Sequence, residues 1–474
     1  MLDCILHLEQ EWPVGTVGIV VSLCLLMYWA YRGVSVLLLA PVLALLAVVM
    51  SGDVVMLLPV YTQVFMKAMG GYLMQFFPLF LLGAIFGKLM DESGSARAIA
   101  HGIVSAVGAQ RAILAVVLAC SVLTYGGVSL FVVAFAVYPV GAALFRQAGI
   151  PKRLMPGAIA LGAFTFTMTA LPGTPAIQNA IPIPFFGTDA FAAPGLGLIG
   201  AAIMFGLGLW WLNGQARSLM AAGEGYGDDT QAPSANDAPV PSVWVALMPM
   251  VLVVLLNAAF SKWVLPSMDW SILQEARMGG LSDAKSLIGI WSIIVALSVA
   301  NLCLLVVHRQ RWVNWMKTLN DGATSSMLPM LNTATEVGYG TVIASLAGFA
   351  LIRDALLSVA PGNPLVSEAV AVNVLAGITG SASGGMSIAL NALGSEFTTM
   401  AQAAGISPEL LHRVATMASG CMDTLPHNGA VISLLVICGL THKASYQYIA
   451  MNTVVFPLVA LAAVVGLGTV FGSF

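Results

Sequence analysis

Four short motifs in this 474-residue chain set glycine, proline and hydroxyl side chains in apolar surroundings. Two read Thr124-Tyr125-Gly126-Gly127-Val128-Ser129 and Thr379-Gly380-Ser381-Ala382-Ser383-Gly384-Gly385. The others read Leu171-Pro172-Gly173-Thr174-Pro175 and Leu425-Pro426-His427-Asn428-Gly429. Each interrupts a helix, frees backbone N–H and C=O groups, and leaves a helix N-terminus with partial positive charge. Glycine lets a ligand approach the backbone, while hydroxyls and an amide add directed hydrogen bonds. The candidate solute-binding residues are therefore Thr124, Gly126, Gly127, Ser129, Gly173, Thr174, Ser381, Ser383, Gly384, Gly385 and Asn428. Asp423 and His427 stand one helical turn apart at the last motif and are the candidates for carrying a proton. An ionisable residue at membrane depth is a functional candidate by default. The first half offers only Thr169 and Thr174 at the matching positions. Glu396 and His101 are weaker candidates that suit interfacial positions. No Arg or Lys occurs in any of the motifs, which disfavours multivalent anions and suits a monoanion held by helix N-termini.

The elements that position these motifs follow from composition. Charged residues make up 8 % of the chain and hydrophobic ones 59 %, where a soluble chain carries about 25 % charge. The long apolar runs indicate an all-α polytopic membrane protein. A net charge of −3 without a basic patch excludes nucleic-acid binding. The six cysteines form no CxxC pair or Cys/His ligand spacing, so no disulfide framework, metal or cofactor is expected. Glu9 and Glu11 precede the first apolar run, where a cleavable signal peptide would be basic. Spans of about 20 residues are expected near 14–31, 33–50, 72–90, 191–212, 243–264, 286–307, 337–357 and 446–470. The Gly83 and Gly87 pair in the third run fits helix packing. Residues 213–241 are polar and proline-bearing and read as a linker between 1–212 and 242–474.

The two parts repeat one another. Gly126-Gly127-Val128-Ser129-Leu130 answers Gly384-Gly385-Met386-Ser387-Ile388, and Ala148-Gly149-Ile150-Pro151 answers Ala404-Gly405-Ile406-Ser407. Ala170-Leu171-Pro172-Gly173-Thr174 answers Thr424-Leu425-Pro426-His427-Asn428, and the offset shrinks by only two residues at each step. If each first-listed motif is the tip of a re-entrant hairpin, each half makes five crossings and the second half is inverted. With both termini outside and the linker in the cytoplasm, the inner segments hold Arg32, Lys88, Arg97, Arg111, Arg146, Lys152, Arg153, Arg217, Arg309, Arg311, Lys317 and Lys443. The outer ones hold half as many: Lys67, Lys262, Arg277, Lys285, Arg353 and Arg413. This is the positive-inside asymmetry.

The run Tyr125-Gly126-Gly127-Val128-Ser129 through Tyr138-Pro139, then Ile150-Pro151-Lys152-Arg153 and Gly162 to Pro175, resembles the gluconate permease (GntP) family. Ser381-Ala382-Ser383-Gly384-Gly385 and Leu425-Pro426-His427-Asn428-Gly429 fit the same family. Within it, the likeness is greatest to members labelled D-beta-hydroxybutyrate permeases. The resemblance implies a secondary symporter in a bacterial-type inner membrane. Proton-coupled uptake of a small hydroxy acid such as 3-hydroxybutyrate or gluconate is what it implies of activity. It also implies a homodimer with a scaffold and a moving transport domain, an elevator-type arrangement. Two other readings stay open on the residues alone. Tip carbonyls and hydroxyls could hold sodium instead of a proton being carried, and Asp423 with His427 could serve an intramembrane enzyme as an acid–base pair.

Overall fold

A computed structural model of the chain describes residues 2–227, 240–275 and 284–474. It is all-helical, with no strand among the described residues. The elements run α1 (Leu2–Tyr31), α2 (Val36–Met50), α3 (Val54–Glu92) and α4 (Ser95–Val107). Then come α5 (Ala112–Tyr125), α6 (Leu130–Ala148), α7 (Met155–Ala163) and α8 (Pro194–Ala221). Beyond the connector lie α9 (Val243–Ser267), α10 (Lys285–Val307), α11 (Trp315–Ser345) and α12 (Phe349–Leu357). The chain ends with α13 (Pro364–Thr379), α14 (Ala382–Ala403), α15 (Pro408–Ser419), α16 (Gly429–Ile437) and α17 (His442–Phe471). Among the described residues, six helices are long and apolar enough to cross a membrane, or eight if each sharply bent pair is one span. Those bends are 99° between α4 and the stretch Ala109–Tyr125, and 97° between α11 and α12.

α5–α6 and α13–α14 are helical hairpins whose tips fall on the two glycine-rich motifs. Gly127 (φ +92°) and Gly380 (φ +64°) take left-handed backbone conformations there, which cost little only for glycine. In the second hairpin a Cβ on Gly385 would lie 2.2 Å from Ala376, so the arms cross at backbone contact. The Pro-Gly motifs interrupt the helices that follow. Short turns at Phe166–Thr169, Ile177–Ala180 and Ile183–Phe186 replace a continuous helix in the first half, and a non-helical stretch separates α15 from α16 in the second. Local sequence explains where helices restart. Ser381 caps α14 through Gly384 N, Ser407 caps α15 through Glu409 N, and Pro364 and Pro408 sit at helix starts.

The expected span over 337–357 is corrected. α11 begins at Trp315, capped by Asn314 through Lys317 N, and Leu346–Gly348 then turn the chain into α12. Gly348 allows the turn because it lies against the backbone of Gly15 and Thr16, with Thr16 Oγ1 donating to its carbonyl. α11 packs along α3, where Gly322 meets the backbone of Ile85, and Ser22 ties α1 to Leu43 O and to Tyr339 of α11. α8 continues through Ala221, into the expected linker; residues 228–239 of that segment lie outside the described residues. Its opening residues are held in place, Glu224 by an ion pair with Arg153 and Tyr226 by the Arg146 guanidinium, 4.9 Å from the ring centroid.

Arg413, read above as an outer-loop charge, is instead fully buried on α15. Its guanidinium donates to Ala192 O (2.7 and 3.1 Å), Thr169 O (3.2 Å) and Asn179 Oδ1 (3.3 Å). The second half thereby satisfies carbonyls that the first-half interruption leaves open. Neighbouring His412 bonds Thr188 and Asn179, and Lys262 of α9 pairs with Asp189 at 2.7 Å. Arg277, the other outer cation to be re-examined, lies outside the described residues. Arg413→Met should lower stability by about 3 kcal/mol, since charge-assisted bonds are lost and buried acceptors left open. Arg413→Lys should recover only part, because an ammonium cannot span the same acceptors. Thermal unfolding in detergent measures both; a parent-like midpoint in Arg413→Met would contradict this role.

Candidate functional site

The second tip and the second interruption lock onto each other. Asn428 is the hub. Its Oδ1 accepts from Ala430 N (2.6 Å) and Val431 N (3.0 Å), capping α16. Its Nδ2 donates to Gly380 O on the tip and Asp423 O at the start of the break, both at 2.9 Å. The imidazole of His427 lies over Gly380, where a Cβ would fall 2.7 Å from the ring. From α17, His442 Nε2 contacts Pro426 O at 3.0 Å and Tyr446 donates to Thr424 O at 3.2 Å.

Beside this lock opens a cavity of about 560 Å³. Its polar wall includes Thr379, Ser381 and Ser383 from the tip and Asp423, Thr424, His427 and Asn428 from the break. α11 adds Asn332, Thr333 and Glu336, and the first half adds Thr169 and Gln178. The apolar wall includes Phe131, Phe164, Met168, Leu328 and Ile432. No Lys or Arg stands among these lining residues. Several polar atoms here are buried without a hydrogen-bond partner: Glu336 Oε2, Asp423 Oδ1, His427 Nε2, Asn332 Oδ1 and Gln178 Oε1. Buried polar atoms left open in this way are the places where a bound solute or ion finds partners. Among the described residues, no group of His, Cys, Asp and Glu is arranged to hold a metal ion.

Of the sequence-derived candidates, Ser381, Ser383, Asn428, Asp423 and His427 line this cavity together. Asp423 and His427 sit in non-helical backbone, so their spacing does not place them on one helix face, and their unpartnered atoms both remain open. Asn428 differs from expectation in one respect: its amide already accepts two bonds and donates two, so its work is to hold tip and break. Gly384 and Gly385 lie behind the tip, packed on Glu336 and Ala376.

The first-half candidates lie elsewhere. Tyr125 donates to Pro172 O at 2.9 Å and Gly127 abuts Pro175, so the first tip and first break also interlock. Here, however, α9 stands across the tip and the space that remains is apolar: Met250 packs on Gly126, and Asn257 donates to Gly173 O at 3.4 Å. Thr174 is fully buried, with Oγ1 accepting from Ala176 N. Thr124 is buried with its hydroxyl unpartnered, and Ser129 lies against Gly87 of α3. Glu396 accepts from Ser395 in exposed surroundings and His101 is exposed.

Glu336 is the residue that sequence reading missed. The rule that flags intramembrane acids would have found it had the span been placed over 315–345. Asn320, Asp321 and a run of Thr and Ser lower the hydropathy there and concealed the helix.

Asn428→Ala should cost about 2 kcal/mol or more, because Gly380 O and two amides of α16 lose their partner together. Asn428→Asp keeps the cap acceptor and loses the donors, so its midpoint in a detergent melt should fall between the two. A parent-like midpoint for Asn428→Ala would show that the lock does not depend on it.

The GntP family permease model matches residues 13–470. An uncharacterized transporter, YxjC of Bacillus subtilis (strain 168), is 46 % identical over 470 residues, covering 95 % of this chain and 99 % of that protein. Among solved structures, the Alcanivorax borkumensis YdaH transporter aligns at TM-score 0.55 and 17 % identity, over 86 % of this chain and 87 % of that one. Neisseria gonorrhoeae MtrF, described within a class of antimetabolite efflux pumps, aligns at TM-score 0.56 and 11 % identity, over 98 % and 97 %. Those two likenesses concern the fold alone. The chain belongs to the GntP permease family, and it is a multi-pass membrane transporter rather than an enzyme.

Proposed function

We propose that this GntP family permease is a secondary active symporter that carries a small hydroxy monocarboxylate together with a proton across a bacterial-type inner membrane. The observation that carries this reading is the make-up of the cavity: hydroxyls, two carboxyl groups and an imidazole, with no fixed cation. Two unit negative charges about 4 Å apart repel by about 4 kcal/mol at an effective dielectric of 20. A carboxylate therefore occupies this cavity only if positive charge comes with it. A proton is the smallest such charge, and one proton with one carboxylate moves no net charge through the apolar region. The Ser383 hydroxyl and the amides at the start of α14 can donate to one carboxylate, Thr333 and Thr379, whose own protons go to Pro329 O and Leu375 O, can accept from one hydroxyl, and the apolar wall suits a methyl group. A polyhydroxylated acid would leave hydroxyls unpaired there, at roughly 1–3 kcal/mol each. The reading therefore favours 3-hydroxybutyrate over gluconate. Asp423 and His427 are assigned to pass the proton.

The wider arrangement is part of the same proposal. Residues 1–212 and 242–474 are read as inverted repeats of five crossings each, with both termini outside. The two interlocked tip–break pairs support this. The hairpins and breaks would form a transport domain that moves against a scaffold in a homodimer. Sodium coupling is the second reading, favoured by the hydroxyl and carboxyl oxygens gathered at the second tip.

Purified protein in proteoliposomes tests this. An inward proton gradient should drive accumulation of 3-hydroxybutyrate, and a sodium gradient alone should not. Asp423→Asn and His427→Ala should reduce accumulation at least tenfold while leaving substrate exchange measurable. Accumulation driven by sodium alone would establish the second reading. If citrate or an amino acid displaces bound substrate while both hydroxy acids fail, the substrate assignment is wrong.

A further inference from the structure

Glu336 has a place in the cavity that neither the motifs nor the family likeness assigns. It sits on α11 with 3 % exposure, and its Oε2 has no hydrogen-bond partner. A Cβ added at Gly384 would fall 1.5 Å from that oxygen, so the carboxyl lies directly against the first turn of α14. The Ser381 hydroxyl accepts from Gly384 N at 3.0 Å, on the same glycine that Glu336 lies against. Thr333, one turn earlier on α11, bonds Ser383 at 3.2 Å and joins the two elements. The first amide of α14 bonded within the helix is that of Gly385. The amides of Ala382 and Ser383, residues that line the cavity, are left for an anion.

We propose that Glu336 and the substrate carboxylate compete for this one helix start, so that substrate binds only when Glu336 carries a proton. This rests on the reading of the cavity as a carboxylate site. The helix start stabilises a single negative charge. Before substrate arrives, that charge belongs to ionised Glu336. When substrate occupies the amides of Ala382 and Ser383, a proton from the water on the side of uptake neutralises Glu336, and that proton is released on the other side when substrate leaves. Asp423 and His427 then relay the proton, and Glu336 holds it while substrate is bound.

The titratable groups facing Glu336 are few. Tyr72 of α3 turns its hydroxyl toward Glu336, Thr333 and Ser387. Asp423 and His427 line the same cavity. α2 brings none, and the stretch 60–65 brings only Tyr61, which stacks on Phe65. On α14, Glu396 lies toward the exposed end, and on α12 Arg353 and Asp354 pair with each other. No fixed cation stands close enough to substitute for the proton.

The test is binding of 3-hydroxybutyrate to the purified full-length protein across pH, with proton uptake read by an indicator dye in weak buffer. The parent should take up one proton per substrate bound, and its Kd should rise tenfold per pH unit above the titration of Glu336. Glu336→Gln should bind with a flat pH profile, take up no proton, and exchange substrate without accumulating it. Glu336→Asp should restore proton uptake and guards against misfolding of the Gln variant. Parent-like proton uptake in Glu336→Gln, or substrate binding to the parent without proton uptake, overturns the proposal alone. A parent that binds neither 3-hydroxybutyrate nor gluconate at any pH overturns the underlying reading with it.

Discussion

The structure depends on one constraint: backbone broken at membrane depth must find its hydrogen bonds inside the protein. Each tip is therefore built against a break. In the second half, Asn428 closes the account with two accepted and two donated bonds. In the first half, Tyr125 reaches Pro172 O, and Arg413 comes from the other half to hold Ala192 O and Thr169 O. The charge of Arg413 is thereby spent on carbonyl dipoles far from solvent. This is why the chain can bury a guanidinium and still present a cavity wall without a fixed cation.

The same constraint leaves the two halves unequal. α9 fills the first tip with Met250 and ties the first break with Asn257, which Ser292 of α10 holds through Oδ1. The second tip meets α11 instead, and α11 brings Glu336, Thr333 and Asn332 to an open space. One pair of motifs thus borders an apolar space and the other a polar cavity. Glu336 Oε2, Asp423 Oδ1, His427 Nε2, Asn332 Oδ1 and Gln178 Oε1 are left without partners on the open side.

Much of this was legible in the sequence. Gly126-Gly127 and Ser381 to Gly385 announce hairpin tips, and Pro172-Gly173 and Pro426 to Gly429 announce breaks, because these residues remove donors or permit left-handed backbone. Ser381, Ser383, Asp423 and His427 followed from residue type at those places. Three things were not legible. Glu336 was hidden because a helix rich in Thr, Ser and Asn falls below the hydropathy of its neighbours. Arg413 was placed among the outer charges by the count of crossings, and only tertiary packing reveals its carbonyl partners. Which of two similar tips stands open depends on α9 and α11, elements far from either motif.

On the proposed function, solute binds in the space between the second tip, the second break and α11. A thiol at Ser383, in a background whose six native cysteines are replaced, tests it directly by its rate of alkylation with a small charged reagent. 3-Hydroxybutyrate should slow alkylation at position 383 and leave unchanged that of a thiol at Ser121, beside the apolar space between the first tip and α9. Protection at position 121 with none at 383 would contradict it.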